Sequence, residues 1–215
     1  MKWKYNCLEP FVFGPWQRVN APVTPTSQGE RANPEGGVAD VPSILEVAVD
    51  ETWKQPLRWN KKLAKDGFLC PVVLAPTCNW SDCDVPPTTR DRLWQTIGQT
   101  LWLTWLLVSK RASDILPALP EDWGSGYWNV ALGVLVEQVD DFQQIDILKK
   151  IRAKERFLEV STSLEVPEML NLKGIHFVMV RIPSCDVADR LNKKWYRQLK
   201  EHCRASDVRL EIVRI

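Results

Sequence analysis

Charged side chains sit at the C-terminal edges of three apolar runs, and their placement defines the chemistry this chain could do. Residues 102–111 (WLTWLLVSKR) end in Lys110 and Arg111, residues 129–137 (NVALGVLVE) end in Glu137, and residues 175–181 (IHFVMVR) end in Arg181. As strands of a parallel sheet, these runs would deliver all four side chains to the rim where α/β folds bind their ligands. Lys110 and Arg111 would form an anion clamp for phosphate or carboxylate, or else a solvated strand-to-helix turn. Glu137 would pair with Lys110 or Arg181 across the mouth, or act as a general base. Asn79, beyond the apolar run 71–75, is the fifth candidate ligand-binding residue.

The other reactive side chains are poorly placed for catalysis. Cys78 and Cys83 flank Asn79-Trp80-Ser81-Asp82 and could join Asp82 or Asp84 around a metal, but there is no Cys-x-x-Cys pair and no nearby His. The two histidines, His176 and His202, stand at no recognisable spacing from a nucleophile and read as structural. Gly-x-Ser-x-Gly, Walker A, His-Glu-x-x-His and Gly-x-Gly-x-x-Gly motifs are all missing.

Composition narrows the class. The 215 residues are 45% hydrophobic and 26% charged, the make-up of an ordinary globular domain. No apolar run reaches the roughly 20 residues of a membrane span, and residues 1–14 lack the apolar core of a secretory signal. A cytoplasmic location without membrane contact is therefore the expectation. The net charge of +1 is split unevenly, −5 over residues 1–148 and +6 over residues 149–215. Eleven tryptophans are an excess. Trp94, Trp102, Trp105, Trp128 and Trp195 fall on expected core faces, with a base- or sugar-stacking platform as the alternative.

Residues 1–42 carry six prolines, with Gly29, Gly36 and Gly37 as further loop signals, and read as an irregular arm, anchored by Phe11, Phe13 and Trp16. Order begins near Ser43, so the expected domain spans 43–215. Strands are expected at 44–49, 71–75, 103–108, 129–136, 157–161, 175–180 and 208–213. Helices are expected at 88–100, 112–116, 140–153 and 187–204, the second of the long ones with Phe142, Ile145, Leu148 and Ile151 on one face. The last helix would bury Leu191, Trp195 and Leu199 and present Arg190, Lys193, Lys194, Arg197, Lys200 and Arg204 opposite. This order predicts an α/β fold with mainly parallel strands, a partial (β/α) TIM-like barrel.

From about Ile44 onward the chain resembles the phage-associated "three-Cys-motif" proteins, a radical-SAM-like family of partial TIM barrels. The likeness rests on ETWKQPLRW at 51–59, DVP at 84–86, SKR at 109–111, residues 129–137 with their LGV, ERFL at 155–158 and the 195–213 ending. The resemblance implies three N-terminal cysteines holding an iron–sulfur cluster that binds S-adenosylmethionine. Here residues 1–42 contain Cys7 alone, too few thiolates for that cluster. Asn79 replaces an Asp, Glu159-Val160-Ser161-Thr162 replaces Ser-x-Glu-Pro, and Arg181-Ile182-Pro183-Ser184 replaces a Gly-Gly-Glu-Ser turn. The implied protein is a non-catalytic, degenerate member without a cofactor or metal: a phage or mobile-element accessory protein that binds a protein partner. The alternatives are an enzyme or binder of a phosphorylated or nucleotide-like molecule at the strand ends, and nucleic-acid binding through the basic 190–204 face.

Overall fold

The computed structural model describes residues 11–13, 16–19, 44–47, 50–67, 69–74, 79–161, 165–182 and 193–214. The expected linker at 20–41, together with Cys7, Cys78, Cys185, Leu191 and Arg190, lies outside them.

Seven strands form one sheet: β1 (Phe11–Phe13), β4 (Cys70–Leu74), β5 (Leu103–Ser109), β6 (Val130–Val136), β7 (Glu155–Val160), β8 (Phe177–Ile182) and β9 (Arg209–Arg214). Every neighbouring pair is parallel, and spatial order follows chain order. The sheet curls into a half-barrel, the expected fold class. A parallel sheet covered on both faces needs apolar residues at consecutive positions, which is why its strands read as LTWLLVS, VALGVLV and FVMVRI.

The two faces pack separately. Leu103, Trp105, Leu107, Leu132, Val134, Leu158 and Val178 join the core shared with the helices. Leu106, Ala131, Phe157, Phe177 and Met179 fill a second cluster on the concave side. Phe157 stacks on Phe177 at 4.7 Å with an interplanar angle of 4°. The same ring occupies the space over Gly133, where a Cβ would lie 2.5 Å from its Cζ.

The beginning of the chain differs from expectation. Ile44–Val47 (β3) is a strand, but it pairs antiparallel with Trp16–Val19 (β2) in a separate two-stranded ribbon. The first place in the main sheet belongs to β1, a three-residue strand within the N-terminal arm. The reason is that β3 leads into α1 (Asp50–Asp66), and only then does the chain enter β4. That 17-residue helix contains Pro56, which removes an internal donor and hides the helical pattern from a sequence reading.

The other helices follow the expected places. Pro87 opens α2 (Pro87–Gln99) at a position where no backbone donor is needed. Its far end is tied to the sheet, because Asn129 Nδ2 donates to Ile97 O at 3.2 Å and Trp105 Nε1 donates to Thr100 Oγ1 at 3.0 Å. The β5–β6 connection holds only a 3-10 turn (Ala112–Asp114) and α3 (Ile115–Ala118), which contains Pro117, followed by a strap that includes Pro120. The expected helix at 140–153 starts as a 3-10 turn (Val139–Gln143) and continues as α4 (Gln144–Lys150), burying Ile145, Leu148 and Ile151. In α5 (Lys193–Ala205), Trp195, Leu199 and Cys203 are buried.

Two tryptophans correct the sequence reading. Trp94, Trp105 and Trp195 are buried, but Trp102 is 36% and Trp128 is 48% exposed. Each stands just before its strand, at the amino end of the sheet.

Replacing Gly133 with Ala forces its methyl into the Phe157 ring, which is held by the Phe177 stack and cannot swing away. A loss of ~1–3 kcal/mol is expected in urea unfolding. The Gly133→Ala/Phe157→Leu double variant should recover part of it.

Candidate functional site

All seven parallel strands end at the same rim, so the residues there are set by where each strand stops. On the β4–β5 side, the amide of Asn79 is the centre of a polar knot. Its Oδ1 accepts from Ser81 Oγ at 3.1 Å, from Ser109 Oγ at 3.4 Å and from the Lys110 backbone N at 3.4 Å. Ser81 and Ser109 share a further hydrogen bond of 2.5 Å, and both are buried. Arg111 O, at 2.8 Å, is the nearer acceptor for the single proton of Ser109 Oγ, with Asn79 Oδ1 its alternative. The knot fixes the turn after β5 and leaves the Lys110 side chain exposed, with no ion pair among the described residues.

Arg111 does not join Lys110 as a clamp. Its Nε donates to Asp114 Oδ2 at 2.8 Å, an i,i+3 pair on the 3-10 turn. Glu137 is likewise not the partner of Lys110 or Arg181. It is exposed, and its backbone N, with that of Gln138, donates to Asp141 Oδ2 at 2.9 Å, so this stretch serves as the cap of the following turn.

The partner of Arg181 is Glu159, a residue that sequence reasoning passed over as a mere substitution. Arg181 Nη2 donates to Glu159 Oε2 at 2.5 Å, and each side chain is only 9% exposed. Alternation explains the meeting. Glu159 lies two residues beyond Phe157 on β7, and Arg181 lies two beyond Met179 on β8, so both continue the concave face. Arg181 Nε is buried and has no partner among the described residues.

Burial dominates the electrostatics of this pair. It pushes the Glu159 carboxyl up from its ordinary value, with the Arg181 charge opposing and the Glu137 charge adding to the rise. It also pulls the Arg181 guanidinium down, with Glu159 opposing. Desolvation thus outweighs mutual attraction on both sides, which is the signature of a costly buried ion pair.

The remaining candidates stand apart from the rim pair. Lys194, Arg197, Lys200 and Arg204 are exposed on α5, with Glu201 among them; Lys193 is the first residue of that helix. The ligand atoms of Asp82, Cys83 and Asp84 lie within 4.8 Å of one another. Their carboxylates push the Cys83 thiol up, Asp82 most. An iron–sulfur cluster does not fit the described thiols, since Cys70 is buried in β4, Cys83 lies on the following loop, and Cys203 is buried in α5 with its thiol pushed up to about 11. Of the two histidines, His176 Nδ1 accepts from the Arg156 backbone N at 3.1 Å, and His202 lies in the last turn of α5.

A parallel α/β half-barrel with a polar rim is the class that fold and site define. The family model described as "Protein of unknown function (DUF5131)" matches residues 25–211, and the chain belongs to that family. No curated protein and no solved structure matches the chain. No helix among the described residues is long and apolar enough to cross a membrane.

Arg181→Met alone strands a buried carboxylate and is expected to cost ~3–5 kcal/mol near neutral pH, whereas Glu159→Gln/Arg181→Met should equal the native chain or exceed it by up to ~4 kcal/mol. The Glu159 value is raised in the fold, so stability from its protonated form is full below 4.5 and lost as pH rises through the folded value. The cost of Arg181→Met should therefore shrink between about pH 7 and about pH 5, as read by urea melts.

Proposed function

We propose that this chain is a binding protein built on the barrel plan of the phage-associated, radical-SAM-like three-Cys-motif proteins it resembles, and that its rim takes a small molecule bearing a carboxylate or phosphate. The observation that carries this reading is Arg181, a guanidinium nine-tenths buried whose Nε has no partner among the described residues. A guanidinium offers five donors in a planar fork, and a single carboxylate contact through Nη2 leaves capacity for an oxyanion. The exposed Lys110 ammonium at the end of β5 supplies a second cation on the same rim. The cost of burying the pair favours function over stability as its reason for being there.

A panel of dicarboxylates and phosphate monoesters, screened by thermal denaturation, tests the reading. A saturable rise in Tm is expected with at least one member. It should vanish in Glu159→Gln/Arg181→Gln, whose folding is checked by its own cooperative melt, and weaken in Lys110→Ala. No rise anywhere, or a rise that survives the double change, would count against the rim as a binding site.

A second reading, docking of a protein partner, is favoured by Leu101, Trp102 and Trp128. Each is exposed at the amino ends of β5 and β6, Leu101 and Trp102 immediately before Leu103 and Trp128 two residues before Val130. Trp128→Asp would abolish partner capture under this reading and leave rim ligands bound as before.

A further inference from the structure

A second concave feature lies on the outside of the molecule, away from the rim pair. The β5–β6 connection has no long helix to cover α2, and the strap that replaces it leaves a groove of about 510 Å³, within the size range of ligand sites. Pro87, Pro117, Leu119 and Pro120 give it apolar walls, and Trp94 also lines it. Trp94 is fixed there by its Nε1, which donates to Ala118 O at 3.1 Å, and by edge contacts with Trp80 at 5.5 Å and Tyr127 at 6.0 Å. The walls are therefore held in place before any ligand arrives.

The charges in this groove are unbalanced. Asp91, Glu121 and Asp122 line it against one cation, Arg90. Arg90 Nη2 is turned to its own loop, donating to Asp82 O at 2.9 Å and Val85 O at 3.4 Å. Asp91 and Glu121 are exposed and have no ion pair among the described residues. Asp122 accepts from the Tyr127 hydroxyl at 2.5 Å. Burial foremost, then Asp122, pushes that phenol up to about 12, so it stays a neutral hydrogen-bond donor and does not offset the carboxylates.

We propose that this groove docks an extended, lysine- or arginine-bearing segment of a partner protein. The cation would be neutralised by Asp91, Glu121 and Asp122, and its alkyl stem and backbone would cover the proline walls and the Trp94 edge. Charge complementarity selects a cation, and the apolar walls select a peptide over a free polyamine, which would leave those walls wet. The site is independent of the Arg181 rim.

Fluorescence anisotropy on the full chain, with a labelled, blocked peptide repeating Ala-Lys-Pro, provides the test. Binding should weaken by about tenfold or more when norleucine replaces lysine, and again in Asp91→Asn/Glu121→Gln with Tm unchanged. Asp91→Glu and Glu159→Gln/Arg181→Gln should bind as the native chain does. Four results would each overturn the proposal. They are no binding of the lysine peptide, equal binding of the norleucine peptide, spermidine competing as tightly as the peptide, or self-association of the chain that Asp91→Asn/Glu121→Gln abolishes.

Discussion

The parallel hydrogen-bonding of neighbouring strands in chain order is the constraint on which the rest of this molecule depends. It sends every carboxyl end to one rim and requires each connection to return across the outside. The same constraint makes the sheet apolar on both faces, so the concave side must be filled by the strands' own side chains. Phe157 does much of that filling by lying over Gly133 and on Phe177. Polar side chains then have only the last layer before solvent to occupy, and there Glu159 and Arg181 meet.

That pair differs in kind from the ion pairs elsewhere. Arg111–Asp114, Lys54–Glu51 and Lys149–Asp146 are exposed on at least one side and span i,i+3, so solvent screens them and each contributes little. Glu159 and Arg181 have given up water, and their attraction does not fully offset the loss. An oxyanion at the guanidinium would engage the Nε–H that has no partner among the described residues. The outer groove follows a parallel logic with the opposite sign, since its carboxylates outnumber a guanidinium already engaged by backbone carbonyls.

Much of this architecture was legible in the residues. Runs such as 103–109 and 130–136 announce strands buried on both faces, and charged residues at their ends mark the rim. The place of Arg181 at the end of its strand was legible that way. Glu159 was not, because a carboxylate inside a strand reads as an outward residue unless the parity of Phe157 is carried two positions on. Arg111 and Glu137 have partners that strand-end reasoning did not foresee, as each is engaged within its own turn by an acid three or four residues later, Asp114 and Asp141. Helix α1 was hidden by Pro56, and the ribbon of β2 with β3 by a pairing between segments far apart in sequence. Trp102 and Trp128 look like core residues because they adjoin apolar runs, but adjacency to a strand does not decide which end is covered.

The Arg181 Nε–H resonance, observed by nitrogen-15 NMR during titration with inorganic phosphate, tests the central claim most directly. The account predicts a slowly exchanging signal that shifts saturably as phosphate is added, while the Arg111 signal, tied to Asp114, stays in place. An Arg181 signal that exchanges freely with water, or one that stays unmoved while other arginines respond, would contradict it.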